Sequence, residues 1–178
     1  SLIVQPFHIP SSSMEPTLLV GDRIFVIKYV YGYSKHSFPF SPNFSNKRFM
    51  SNNPKQGDLV VFKTPADNRT DYIKRLIGLP GDKIQFINGD LFINGNKILR
   101  EKSEIIEPIR CGNFTFDSIT YTETLPNGVK HLATYNKAGT LQNTKKYIVP
   151  PNHYFLMGDN RDCSKDSRFL EEVGYVSN

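Results

Sequence analysis

Apolar and polar positions alternate in short runs along most of this chain, a pattern of strands rather than of amphipathic helices. Arg23-Ile24-Phe25-Val26-Ile27-Lys28-Tyr29-Val30-Tyr31 is β-branched and aromatic, with no helix cap before it. A second strand is predicted over Gly57–Lys63 and a third over Asp71–Ile77, the latter closed by Gly78-Leu79-Pro80-Gly81-Asp82. Lys83–Ile87 and Asp90–Ile93 form the clearest hairpin, because Asn88-Gly89 between them suits a type I′ turn with positive φ at both central residues. A second Asn94-Gly95 follows, and Lys97-Ile98-Leu99 adds a further short strand. Residues 101–146 are more polar and less patterned; Asn127-Gly128 offers one more hairpin turn there, and Tyr147–Met157 returns to strand character. Helix is confined to about one turn near Ser13–Leu19 and a short stretch at Phe169–Glu172. The fold class is therefore all-β and mainly antiparallel. Residues 1–83 and 147–178 are expected to form one β core, with 84–146 as a smaller inserted β region.

Composition fits a folded domain: 178 residues, 38% hydrophobic and 22% charged, with 13 Phe and 9 Tyr favouring strands. The formal net charge is +5, but Lys and Arg are scattered, which argues against nucleic acid and for a solvated surface. Mild attraction to anionic lipid is compatible with the same charge. No apolar run approaches the roughly 18 residues of a spanning helix. The two cysteines, Cys111 and Cys163, are too few for a disulfide scaffold and lack metal-ligand spacing. They are read as two unpaired thiols, a bridge being open only in an oxidising compartment. No glycine loop for phosphate and no cluster of metal ligands is present, so no cofactor and no metal are expected.

Candidate chemistry lies in three blocks: Ser11-Ser12-Ser13-Met14-Glu15-Pro16-Thr17, Asp71-Tyr72-Ile73-Lys74-Arg75, and the run from Gly158 to Arg168. A serine hydroxyl needs a base to become a nucleophile. His8, His36, His131 and His153 sit in unpromising contexts, and each is read as a satisfied or exposed histidine. Lysine is the alternative base, provided that burial lowers its pKa from about 10.4. Strand alternation puts Lys74 on the face of Tyr72 and Leu76, with Ile73, Arg75 and Ile77 opposite. Taken alone, Lys74 reads better as an edge-strand lysine pointing into water than as a base.

The three blocks, in this order, resemble the type I signal peptidases, membrane-bound enzymes that cut signal peptides from exported proteins. The resemblance covers Phe7–Tyr31, Gly57–Lys83 and Tyr147–Arg168, and only loosely 84–146. It implies a signal-peptidase or LexA-like Ser-Lys protease fold, with Ser13 as nucleophile and Lys74 as general base. It also implies an oxyanion hole of the Ser13 N–H and the Ser11 hydroxyl, with Ser164 orienting the lysine. Tyr72, Asp159, Arg161, Asp166 and Arg168 become supporting residues, the four charged ones as a network shaping the loop around Lys74. Phe7, Ile9, Ile24, Val26, Val61 and Ile73 become the pocket for small side chains at Ala-x-Ala cleavage sites. Ser12 stands where glycine is frequent in the family, and Cys163 where asparagine is common.

The implied partners are preprotein signal peptides, the lipid bilayer surface and the secretion translocon. The implied location is the extracytoplasmic face of the bacterial inner membrane. Family members carry an N-terminal anchor, so this chain is expected to be a soluble catalytic fragment without it. The aromatic segment Tyr29–Met50 is expected to meet the bilayer. The alternatives are a self-cleaving Ser-Lys protease of the LexA repressor type and a non-catalytic peptide-binding β module.

Overall fold

In the computed structural model, residues 2–29, 54–63, 70–103, 108–139 and 143–177 are described. The chain opens with β1 (Leu2–His8), a 3-10 turn at Ser12–Met14, and β2 (Arg23–Tyr29). The pairing of β1 with β2 explains how Pro6 is tolerated in a strand: the two form a sheet of their own, so each has a free edge. Next come β3 (Leu59–Lys63), β4 (Asp71–Gly78), β5 (Lys83–Ile87), β6 (Asp90–Ile93) and β7 (Asn96–Lys97). The predicted Asn-Gly turn joins β5 to β6, with φ of 50° at Asn88 and 81° at Gly89.

Residues 99–136 hold β8 (Leu99–Lys102), β9 (Pro108–Cys111), the eleven-residue β10 (Phe114–Thr124) and β11 (Lys130–Asn136). The run predicted over Tyr147–Met157 is two strands, β12 (Tyr147–Ile148) and β13 (His153–Met157), and β14 (Val176–Ser177) ends the described chain. They are split because prolines 150 and 151 cannot donate to a ladder and Asn152 turns with φ of 59°. The stretch expected to be helical at Phe169–Glu172 is instead a series of turns, with Val173 N–H bonded to Phe169 O.

Three further sheets follow from this order, in the sequences β11-β10-β8 with β9 also on β10, β12-β5-β6-β7, and β14-β13-β4-β3. Every ladder is antiparallel. β4 lies between β3 and β13, and its residues from Ile73 to Gly78 are buried, with Ile73, Leu76 and Ile77 each in a different apolar cluster. One apolar cluster joins Ile77, Phe155 and Met157 to Ile84, Phe86, Leu91, Ala133 and Tyr135, and so runs through both predicted parts of the chain. A second cluster, of Ile9, Met14, Leu18, Leu59, Val61 and Ile73, lies around the serine turn.

The cysteines are not free thiols. Cys111 at the end of β9 is bonded to Cys163, closing a sequence separation of 52. Neither residue belongs to a recognisable spacing, so only the packing of the β9–β10 hairpin against the Ser12–Met14 turn could reveal their proximity.

Candidate active site

The 3-10 turn Ser12–Met14 holds Ser13 because Met14 is wholly buried in the apolar cluster beneath it. Lys74 approaches from β4. Its side chain is 2% exposed, and Nζ donates to Ser13 Oγ at 2.5 Å. Burial penalises the ammonium and lowers Lys74 from 10.5 to about 8; nearby Asp166 and Asp159 oppose the shift and Arg168 adds to it. The reading of Lys74 as a lysine in water therefore fails, because the residue is buried although the β13 ladder begins only at Arg75. Tyr72, two residues earlier on the same face, sets its ring 5.6 Å from Nζ. Ser11 is also at hand, with Oγ 3.2 Å from Ser13 Oγ.

The loop from Gly158 packs behind this pair. Asn160 N–H donates to Ser13 O at 3.0 Å, and its Nδ2 donates to Ser12 O at 3.1 Å. Ser164 is buried against Gly158, and its Oγ makes no hydrogen bond to Lys74. Asp166 accepts from Gly158 N–H at 2.9 Å and from Arg168 Nε at 2.8 Å. Burial would raise its carboxyl, but Arg168 and these hydrogen bonds outweigh that and keep it below the usual carboxylate range.

The acidic and basic residues expected to form one network are divided. Asp159 pairs with Arg75, through Nε at 2.8 Å and Nη2 at 2.7 Å, and accepts from Thr17 Oγ1 at 2.5 Å. Arg161 turns away to Glu123 on β10 (Nη2–Oε2 2.7 Å) and to Tyr135 on β11 (Nη1–OH 2.9 Å). Arg168 pairs with Asp166. Arg75 and Thr17 stood inside the quoted motifs without a role, whereas nothing in their sequence context marked Glu123 and Tyr135.

His131 is not a surface histidine. It is buried with Nδ1 3.0 Å from Leu132 O, between Glu123 and Asp159 at 3.4 and 3.5 Å. Burial lowers its pKa, favouring the neutral ring. His8 is exposed, and His153 bonds Pro151 O through Nδ1. His36 and the aromatic segment after Tyr29 lie outside the described residues. Among the described residues no group of His, Cys, Asp and Glu could hold a metal ion.

Of the expected pocket residues, Ile9, Val61 and Ile73 are buried in the cluster under Met14, and Phe7 and Ile24 are packed against it half-buried. The side chain of Val26 lies outside the described set, although its backbone pairs with Gln5.

Gly158 is held by space and not by conformation. A Cβ there would lie 2.2 Å from Ser164 Oγ and 2.6 Å from Ser13 O. Gly158→Ala must displace the serine turn or the loop, and turnover is expected to fall about 100-fold through misplacement alone. Steady-state kinetics of the folded variant will measure this; a rate equal to that of the parent would show that the loop moves freely.

A serine and a desolvated lysine in hydrogen-bond contact, with no histidine among the described residues bonded to that serine, can perform acyl transfer without a metal ligand set. The family model described as "Signal peptidase, peptidase S26" matches residues 1–178. Signal peptidase I of Rickettsia akari is 43% identical over 190 residues, covering 98% of this chain and 67% of that protein. The Rickettsia typhi enzyme is 44% identical over 186 residues, with the same coverage, and that of Rickettsia bellii is 40% identical over 185 residues, covering 62% of its length. A solved signal peptidase I from Enterococcus faecalis aligns at 29% identity, over 70% of this chain and 90% of that one, with a TM-score of 0.41. From the family match along its whole length and these relatives, this chain belongs to the peptidase S26 family of signal peptidases.

Proposed function

We propose that this chain is a serine endopeptidase that removes signal peptides from exported preproteins through a Ser13–Lys74 dyad. The observation that carries the dyad is the 2.5 Å contact between Ser13 Oγ and a lysine that burial brings to about 8. In its neutral form Lys74 takes the Ser13 proton as Oγ attacks the scissile carbonyl, and returns it to the leaving amine. The resulting acyl-enzyme is hydrolysed by a water that Lys74 deprotonates in turn. The tetrahedral oxyanion is met by the Ser13 N–H and the Ser11 hydroxyl, each donor being worth roughly 2.7–4 kcal/mol by analogy with other serine proteases. Ser164, buried against Gly158 and beside Asp166, orients the lysine once substrate tightens the site.

Small side chains at Ala-x-Ala sites fit a floor made of Phe7, Ile9, Ile24, Val26, Val61 and Ile73, five of which gather around Met14. The peptide lies extended and adds a strand near Ile9 and Asp71. Two features favour work at an extracytoplasmic membrane surface. The Cys111–Cys163 bond belongs to an oxidising compartment. Leu19, Val20 and Phe25, close in sequence to the nucleophile, are 54%, 55% and 67% exposed and suit the bilayer interface. The translocon would be a neighbour there.

The test is cleavage of a preprotein carrying an Ala-x-Ala site, presented in detergent and in anionic-lipid vesicles, by the parent and by Ser13→Ala. The parent is expected to cut after the second alanine, faster on vesicles, and the variant to be silent. Cleavage by Ser13→Ala at the same site would remove Ser13 from the mechanism, and equal rates in both media would remove the lipid partner.

A further inference from the structure

The tip of the β9–β10 hairpin reaches the nucleophile turn. β9 packs on Ser12–Met14, Cys111 at its end is bonded to Cys163, and Cys163 Sγ lies 3.4 Å from Ser12 Oγ. Ser12 and Cys163 are the two positions where this chain departs from the motifs it otherwise resembles, and in space they touch. Cys163 N–H bonds Asn160 O at 3.2 Å, Asn160 in turn holds the Ser12 and Ser13 carbonyls, and the residue after Cys163 is Ser164. A single covalent bond thus ties the hairpin to the loop behind Lys74, and hydrogen bonds from that loop hold the nucleophile turn.

β9 does not need this bond to keep its place in the sheet, because Pro108–Cys111 is already paired with Phe114–Asp117 of β10. The loop does need it. Asn160 Oδ1 is buried without a hydrogen-bond partner, so this segment would be better hydrated in a looser arrangement.

We propose that the Cys111–Cys163 bond is a positioning element of the peptidase site, holding residues 160–164 and the Ser12–Met14 turn in the arrangement that the chemical step requires. The proposal rests on the Ser13–Lys74 reading above. Opening the bond lets water reach Asn160 Oδ1 and the Lys74 amine, which moves back toward its ordinary value. The substrate floor under Met14, made by other residues, is untouched.

The bond can be opened in two ways. One is the double variant Cys111→Ala/Cys163→Ala. The other is reduction of the folded parent by dithiothreitol: one thiolate attacks the bridge, the second closes the reagent into a cyclic disulfide, and two electrons and two protons leave both cysteines as thiols. Preprotein cleavage is measured well below the unfolding temperature, alongside thiol titration and urea unfolding. The expected result is a fall in kcat of about 10- to 100-fold with KM changed by less than about twofold. The alkaline limb should also move up by about one pH unit, and reoxidation of the reduced parent should restore both readouts.

A bridge that served stability alone would lower the urea midpoint and leave kcat and the limb in place. That result overturns the proposal. Should the double variant fail to fold, reduced parent with two titratable thiols and unchanged kcat overturns it equally. Ser13→Ala and Lys74→Ala run in the same assay keep the two readings apart. Retained turnover in those variants removes the dyad itself, whereas their silence beside an unaffected disulfide variant removes only the positioning role.

Discussion

Lys74→Met is expected to abolish turnover and, at pH 7, to make the protein more stable. Activity should drop by about 10⁴-fold or more, as in other serine enzymes that lose the base of the nucleophile. The gain in stability follows from the sign of the pKa shift. Lys74 titrates at about 8 in the folded chain, lowered by burial from 10.5, its value when the chain is unfolded. Below pH 8 both states hold the proton and the desolvation penalty is fully present, about 3 kcal/mol for a shift of this size. Between pH 8 and 10.5 the folded state gives up its proton while the unfolded state retains it, so the penalty fades as pH rises.

Methionine fills the same space without charge, and the Asp166–Arg168 pair beside it stays matched. Urea unfolding at pH 7 and pH 10.5 should therefore show a large gain for the variant at the lower pH and nearly none at the higher. Lower stability at pH 7 would mean that Lys74 is not a desolvated cation. In the parent, the same titration predicts a rate that climbs about tenfold per pH unit up to a limb near 8, since only the neutral amine is a base.

Glu123→Ala is expected to have the largest effect on stability. Arg161 is fully buried and gives Glu123 two hydrogen bonds, at 2.7 and 3.3 Å, while Tyr135 donates to the same carboxylate at 2.5 Å. Burial would raise Glu123, but Arg161 and these hydrogen bonds override it and hold the carboxyl ionised. Removing the carboxylate strands a guanidinium with no counter-charge, a loss of about 3–5 kcal/mol.

The loop bearing Asp159 should loosen with it, because Arg161 also bonds Gly158 O and Thr134 O. The double variant Glu123→Met/Arg161→Met should recover most of that loss, since no charge is then left alone. Urea midpoints of the two single variants and the double variant measure the coupling. Simple additivity would show that Glu123 and Arg161 act independently.

Residues 101–146 show why part of this fold could not be read from the chain. β10 and β11 form one of the two longest ladders, yet it buries Ser118, Thr120 and Thr134 on one face and Glu123 and His131 on the other. Thr120 and Thr134 lie opposite each other and share a hydrogen bond of 3.0 Å. Polar residues buried on both faces blur the alternation of apolar and polar positions, which is the main periodic signal of a strand. The Asn88-Gly89 hairpin was legible for the opposite reason: its turn chemistry is local and its strands present Ile84, Phe86, Leu91 and Ile93 inward.

The sequence by itself determined the all-β class, the turns with positive φ, and the serine and lysine whose spacing in the chain resembles that of signal peptidases. These depend on residue type and near neighbours. Tertiary structure decided what depends on distance across the chain. β4 was packed beside the Ser12–Met14 turn and the loop after Gly158, and Lys74 was thereby taken out of water. Asp159 went to Arg75 and Arg161 to Glu123, because the loop after Gly158 adds to the side of β11 through Thr134. Cys111 met Cys163 because β9 packs on the turn that holds Ser13. Burial and pairing are sums over neighbours 50 to 150 positions away, and no local pattern of residues encodes them.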